Sequence, residues 1–472
     1  MAGIGFVLER LLLKGGARNL FIVAVSGTAL VAGPWLLSAA SIFLAVSLVP
    51  SSVAAPFQQT LVYVFAGSLL FFGGMHLTYT RRVADLHFFN MVGPQRLVLV
   101  KAIALVTLLS LVLGALLALF TVPGAATREA WQLRGLVVLM VVAVNVSFLE
   151  MIHATQIERF FLVPAGYLSG GAVIVLLAKP FTEAQGLGGM YAAFVLGFLV
   201  VDIFLFGVSL SPKHKGSKRR SEEEQPDESD EAVPESPPPG VSLSSPKENR
   251  ALWLAGTALY LLLWLDKLYY WFILGYPVAG TGLYGYPDYD VAIFWGQITI
   301  IPGLIYYLVA GETDFFRELR RTVRAIMNRP FIGVQRQKLQ LVDVHHYHLA
   351  RQTVLQLSFV AALVPLTPHL ARLIYGSTDG VIVILMVLVG SALYLTHYTL
   401  FINLLYLKRY KEATLATTVG ILVTALSLLI PPEPERLLGL PFALGSAAGI
   451  IAGAILFRRA ARLIDRQILT QR

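Results

Sequence analysis

SPKHKGSKRRSEEEQPDESDEAVPESPPPGVSLSSPKENR, residues 211–250, decides how the chain divides. The stretch opens basic, turns acidic and then becomes rich in proline and serine, with almost nothing apolar. Such a segment cannot bury enough surface to offset the entropy of ordering it, so it reads as a disordered charged linker. Before it lie 210 residues and after it 222, both mostly apolar. Two similar lengths of membrane sequence around one joint predict a two-lobed transporter, with lobes 1–210 and 251–472.

The composition supports a membrane protein. The chain is 56% hydrophobic and 14% charged, against about 25% charged in soluble domains. It has no cysteine, which excludes disulfides and thiolate metal sites. Twelve apolar stretches are long enough to cross a core of about 30 Å. They fall near 20–48, 58–79, 98–121, 133–154, 160–178, 187–210, 252–274, 289–310, 352–374, 380–407, 412–430 and 437–457. The expected fold is therefore an all-α polytopic membrane protein of twelve transmembrane helices in two six-helix lobes.

Orientation follows from the basic residues. With the N-terminus inside, 31 of the 37 Lys and Arg fall on cytoplasmic segments. The outer loops keep Arg128, Arg134, Lys179, Arg372 and Arg436, and Lys267 lies inside a span. This places both termini and the linker in the cytoplasm. The charge excess is then a topology signal, met by contact with anionic lipid, and not a mark of nucleic-acid binding. The opening MAGIGFVLERLLLKGGARN does not read as a cleavable leader, because its charges are mixed and the apolar run after it is long. Ile4, Leu8, Leu11 and Leu12 share a face, so it reads as an amphipathic helix on the inner leaflet.

Polar residues inside the spans are the candidate site. The first span holds Gly33-Pro34-Trp35, where proline removes a helix hydrogen bond. Such a break faces either a protein neighbour or a wet cavity. After the second span, Arg81 and Asp85 are four apart and can pair on one helix face. Glu150 and His153 end the fourth span at i, i+3, without the second copy that a bundle metal site needs. Gly166-x-x-x-Gly170-Gly171 predicts close helix packing in the fifth. Asp202 is the sixth span's carboxylate.

The seventh span carries Asp266-Lys267-Leu268-Tyr269-Tyr270-Trp271. Counted from residue 252, Asp266 lies roughly 21 Å into the core. Central charges cost about 2.5–3.5 kcal/mol each, so they face the protein interior or water. Neighbours on a helix point about 100° apart, so Asp266 and Lys267 need not pair. Tyr270 and Trp271 each lie one turn beyond a charge, an arrangement that suits a sugar ring or a membrane-interface belt. The next loop, GYPVAGTGLYGYPDYD, contains a Gly-x-Gly-x-x-Gly pattern, but no strand precedes it and no dinucleotide site follows from it. Gln297 and Pro302 interrupt the eighth span. Glu312 and Asp314 open a basic helix near 312–329 whose Phe315, Phe316, Leu319, Val323, Ile326 and Met327 form a stripe, for lipid or for a cytoplasmic partner. His397 and Asn403 face the interior of the tenth span, and Gly445, Gly449 and Gly453 form a packing seam in the last. Asp343, His345, His346 and His348 lack a metal-site spacing, and no nucleotide, zinc-protease or nucleophile motif occurs. The chain reads as a non-enzyme needing no cofactor or metal.

Met1-Ala2-Gly3-Ile4-Gly5-Phe6, Gly33-Pro34-Trp35 with Ser38, Thr80-Arg81 with Asp85, Asp266-Lys267 with Trp271, and Glu312-Thr313 with Phe315 together resemble the PelG family, the inner-membrane transporter of the Pel exopolysaccharide system. The linker is longer than that family's central loop. The resemblance implies a fold like the multidrug/oligosaccharidyl-lipid/polysaccharide (MOP) flippases. It also implies an amino-sugar polymer made by a cytoplasmic glycosyltransferase, and membrane partners resembling PelD, a cyclic-di-GMP receptor, and PelE. On the physical reading, Pro34, Trp35, Asp266, Lys267, Tyr270, Trp271, Gln297, His397 and Asn403 line a substrate path. Arg81, Asp85, Glu150, Glu312 and Asp314 line its cytoplasmic entrance. A lipid-linked oligosaccharide flippase, a cation-coupled antiporter and a non-transporting scaffold for the glycosyltransferase are the rival readings.

Overall fold

Backbone polar groups cannot be left unpaired in lipid, so apolar runs of this length must close their hydrogen bonds within helices. The computed structural model describes residues 26–28, 32–89, 91–122, 124, 127–211, 246–328, 330–430 and 437–466. The expected amphipathic N-terminal helix and nearly all of the linker lie outside them. In chain order the helices are α1 (Gly33–Ser47), α2 (Ser51–Phe88), α3 (Val92–Thr121), α4 (Arg128–Gln156), α5 (Leu162–Gln185), α6 (Leu187–Leu210) and α7 (Pro246–Ile273). A two-stranded ribbon, β1 (Tyr276–Pro277) and β2 (Tyr284–Gly285), precedes α8 (Pro287–Ile298), α9 (Ile301–Tyr306), a π-turn (Tyr307–Gly311) and α10 (Glu312–Asn328). Then come α11 (Phe331–Leu363), α12 (Thr367–Tyr375), α13 (Val381–Tyr406), α14 (Tyr410–Leu428) and α15 (Leu440–Arg462).

Among the described residues, 11 helical segments are long and apolar enough to cross a membrane. Each coincides with one of the expected spans from the second onward. The first expected span is represented by α1, a 15-residue apolar helix. The apolar side chains explain why these helices need lipid. Leu105, Leu108, Val112, Leu116 and Leu119 of α3 are all about half exposed or more. Their spacing puts them on one face, which has no protein cover.

The chain forms two compact units. One holds residues 37–57 and 76–249, the other residues 1–36, 58–75 and 250–472, so α2 contributes its middle to one unit and its ends to the other. In the first unit α3 packs on α4, and α6 on both α4 and α5. The glycines expected to allow close packing do so: a Cβ on Gly170 would stand 2.5 Å from Gly197 O, and one on Gly171 2.1 Å from Ser41 Oγ. Phe57, Tyr191, Phe194 and Phe198 fill its core, with Phe194 stacked on Phe198 at 4.5 Å.

In the second unit α15 packs on α13 and α14. The predicted interruption of the eighth span is the gap between α8 and α9. Pro302 in the first turn of α9 has no N–H to give back across the gap, and within the gap Thr299 O accepts from Gln356 Nε2 at 2.8 Å. The helix of the 312–329 region leaves part of the stripe expected to meet lipid or a partner uncovered and buries the face beside it. Glu312, Phe315, Glu318, Thr322 and Ala325 are buried, while Val323 and Met327 are 37% and 40% exposed. The reason is the packing of α10 on α11, where Gln337 donates to Glu318 and so satisfies a buried carboxylate.

Candidate functional site

The site is built on α7, where two charged residues sit in an apolar helix. Asp266 and Lys267 are 0% and 3% exposed. They do pair, with Lys267 Nζ 3.4 Å from Asp266 Oδ1. The flexible lysine stem allows this despite the divergent Cα–Cβ directions. Lys267 also donates to Leu263 O at 2.6 Å. Its ammonium lies 5.5 Å over the Trp264 ring and 5.2 Å over Phe442. Two aromatic faces and one carboxylate thus replace its water.

The rest of the cluster comes from α8 and the ribbon. Tyr289 donates its hydroxyl to Asp266 Oδ2. Trp271 Nε1 donates to both oxygens of Asp290, at 2.8 and 2.9 Å. Tyr270 meets Tyr289 edge-on at 4.7 Å, and Trp271 stacks on Tyr63 at 4.7 Å. The ribbon is tied to α2 because Tyr284 O accepts from Gln59 Nε2 at 3.0 Å and from Tyr63 Oη at 2.9 Å. Its turn needs Gly280, which has φ +78°. Two carboxylates and one ammonium leave this cluster with one excess negative charge.

Tyr270 and Trp271 lie inside this cluster. Both rings are buried and covered by protein aromatics in this state. Tyr270 packs on Tyr289, and Trp271 donates to Asp290. Pro34 is buried in the first turn of α1, and Trp35 is 38% exposed with its ring 5.6 Å from Phe294. Gln297 Nε2 is buried without a hydrogen-bond partner.

A second polar cluster lies where the π-turn meets α10. Tyr307 donates to Asn403 Oδ1 at 2.9 Å, and Asn403 Nδ2 is 2.8 Å from His345 Nδ1. Tyr406 donates to Glu312. A π-turn beside a buried carboxylate is common at functional sites. His397 is not part of this cluster; its Nε2 lies 3.1 Å from Thr417 Oγ1, on α14.

The expected entrance residues separate into two groups. Arg81 and Asp85 pair at 3.1 Å at the surface, as their spacing predicts. Asp314 is partly exposed, 2.8 Å from Arg317 and 2.9 Å from His348 Nε2. Glu312 and Glu150 are each only 2% exposed, so neither lines an open surface in this state. Packing of α10 beneath Tyr406 and of α4 against α6 hides them. Sequence reasoning missed Tyr289, Asp290, Tyr307, Tyr406 and His345. For Asp290 the available signal was a carboxylate in the first turn of an apolar helix.

Helices of crossing length with charged clusters buried between them define a membrane transporter. Solved structures with the same fold are a MATE transporter in complex with MaL6, a MATE-family multidrug resistance transporter of the MOP superfamily in an outward-facing conformation, and a MOP superfamily transporter from Pyrococcus furiosus. They are 13%, 14% and 14% identical to this chain, with TM-scores of 0.61, 0.59 and 0.56. The matches cover 98–99% of each chain. At that identity they establish the fold alone. The chain belongs to the PelG family, described as an exopolysaccharide exporter (EPS-E), which it matches over residues 1–469. It is a multi-pass inner-membrane protein of a transporter family. No curated protein matches it in sequence.

Proposed function

We propose that this chain moves a nascent exopolysaccharide of the Pel type, an amino-sugar polymer, across the cytoplasmic membrane. It works beside a cytoplasmic glycosyltransferase and membrane partners resembling PelD and PelE. Twelve spans in two six-helix lobes, with both termini and the linker in the cytoplasm, form the path, and α1 and α7 line it. The observation that carries the reading is the Asp266–Lys267–Asp290 cluster, held between α7 and α8 of a chain that belongs to an exporter family. Buried charges of this kind in a membrane helix are costly, and mark substrate or ion paths. Their excess negative charge suits a polymer bearing ammonium and hydroxyl groups. Pro34 and Trp35 let α1 bend, Gln297 offers a free amide to the path, and Asn403 and Glu312 hold its cytoplasmic end closed. Arg81, Asp85 and Asp314 meet the polymer first.

The test is polymer export from cells carrying Asp266→Asn, with protein level and copurifying partners measured in the same membranes. Export lost with the complex intact is the expected result. Unchanged export would remove Asp266 from the path, and tight copurification with tolerance of every intramembrane polar substitution would leave a scaffold.

A further inference from the structure

The last two helices bring a group of basic side chains together at one end of their seam, away from both clusters described above. The helices α14 and α15 run antiparallel. A Cβ on Gly420 would stand 2.8 Å from Gly445 O, and one on Gly453 3.8 Å from Ala416 Cβ. Lys411 and Arg458 each lie five residues beyond that second contact, 416 to 411 and 453 to 458, so they reach the same level. Two adjoining clefts open there. One, of about 300 Å³, is lined by Arg409, Lys411 and Arg459, and the other, of about 450 Å³, by Arg458, Arg459 and Arg462. Arg459 lines both.

These five basic side chains meet one carboxylate. Glu412 accepts from Arg409 Nη1 at 3.2 Å, while Arg409 Nε is buried without a hydrogen-bond partner. Arg458 Nε donates to His346 Nε2 at 3.3 Å. Lys411, Arg459 and Arg462 are exposed and form no ion pair among the described residues. Other cations of the same unit are answered: Arg317 by Asp314, Arg321 by Glu318, and Lys338 by Asp465. The helix dipoles sharpen the contrast. Arg459 and Arg462 suit the last turn of α15, where cations are favoured. Arg409 and Lys411 instead stand at the start of α14, where uncapped N–H groups already make the potential positive. Cations placed there raise it further, as an anion site requires.

The seam beyond the basic end is apolar and uncovered. Leu415, Leu422 and Leu426 share a face of α14, and Ile455 and Ile451 a face of α15. All five are more than half exposed. Both helices are long and apolar enough to cross a membrane. A free phosphate would use the basic residues alone. A phospholipid uses both features, with its acyl chains along the two stripes.

We propose that the start of α14 and the end of α15 form a binding site for an anionic phospholipid. Lys411, Arg459 and Arg462 hold the headgroup phosphate, and Arg409 adds its charge beneath. Basic pockets between membrane helices recognise such headgroups. The inference stands apart from the export reading and requires only that these two helices cross the membrane.

The experiment is thermal unfolding of the full chain in detergent with phosphatidylglycerol, phosphatidylcholine or inorganic phosphate added. Phosphatidylglycerol should raise the melting temperature saturably, as a ligand of the folded state does, and phosphatidylcholine should not. Arg459→Gln with Arg462→Gln should raise the half-saturating lipid fraction roughly thirtyfold, about a factor of five for each basic side chain. Arg82→Gln with Lys101→Gln removes the same charge from exposed positions on α2 and α3 and should leave that fraction unchanged. An equal loss in this control overturns the site in favour of diffuse charge attraction. Inorganic phosphate that stabilises as well as phosphatidylglycerol overturns it in favour of a free-anion site, and no response to either overturns it outright. If the double variant at 459 and 462 does not accumulate, Lys411→Gln alone should raise the half-saturating fraction about fivefold.

Discussion

The indole Nε1 of Trp271 donates to both carboxylate oxygens of Asp290, at 2.8 and 2.9 Å, and so ties the end of α7 to the start of α8. Asp290 also accepts from Tyr286 N at 3.4 Å, in the first turn of α8, where a negative charge favours the helix dipole. Trp271→Phe keeps an aromatic ring against Tyr63 but removes the donor together with one ring of the buried indole. A hydrogen bond to a charged group contributes about 1.5–3 kcal/mol. The variant should therefore melt earlier by roughly that free energy and export less polymer. An unchanged melting curve in detergent would show that solvent satisfies Asp290 equally well.

Lys267 and Asp266 are a buried pair, so the two positions should be strongly non-additive. Lys267→Met leaves Asp266 buried without its countercharge, at a cost of about 3–5 kcal/mol. Its membrane level should fall sharply. Combining it with Asp266→Asn removes the orphan charge, so the double variant should regain membrane level while export stays low. Quantitative immunoblotting of membranes beside secreted polymer separates the two effects. Normal accumulation of Lys267→Met would mean that water reaches Asp266.

Much of this was legible in the sequence for a physical reason. Apolar runs and basic flanks report the bilayer itself, so the 11 crossing-length helices fell on expected spans. Asp266 and Lys267 stood out because charge in such a run is costly. Their partners did not. Tyr289 is 23 positions from Asp266 and Asp290 19 from Trp271, and no local period records which side chains meet after a loop reverses. Burial of Tyr270 and Trp271 under other aromatics was hidden for the same reason. So was the face that α10 turns inward, since Glu318 is buried only because Gln337 on α11 meets it.

Asp465, beyond α15, accepts from Lys338 Nζ on α11 at 3.0 Å. Burial pushes the Asp465 carboxyl up, but the Lys338 hydrogen bond and charge outweigh it and hold the group below its ordinary 3.8. A carboxyl lowered by folding stabilises fully above that ordinary value and loses its contribution as pH falls through the folded one. Asp465→Asn should therefore be less stable than wild type at pH 7, by about 1 kcal/mol or less. The gap should close as pH drops below 3.8. A gap that persists there would point to packing in place of charge.

The α14–α15 seam should be far less tolerant at Gly445 than at Gly453. A Cβ on Gly445 would stand 1.9 Å from Thr424 Oγ1 and 2.7 Å from Gly420 O, and the carbonyl belongs to a helix backbone that cannot step aside. Without water between helices, such close approach is what holds membrane helices together. A Cβ on Gly453 meets Leu400 Cβ at 3.4 Å, an ordinary contact. Gly445→Ala should therefore force the helices apart, costing about 1–3 kcal/mol as overpacking does, whereas Gly453→Ala should melt like wild type. Thermal unfolding of the two variants in the same detergent checks this. Equal melting temperatures would mean that α14 and α15 slide freely past each other at Gly445.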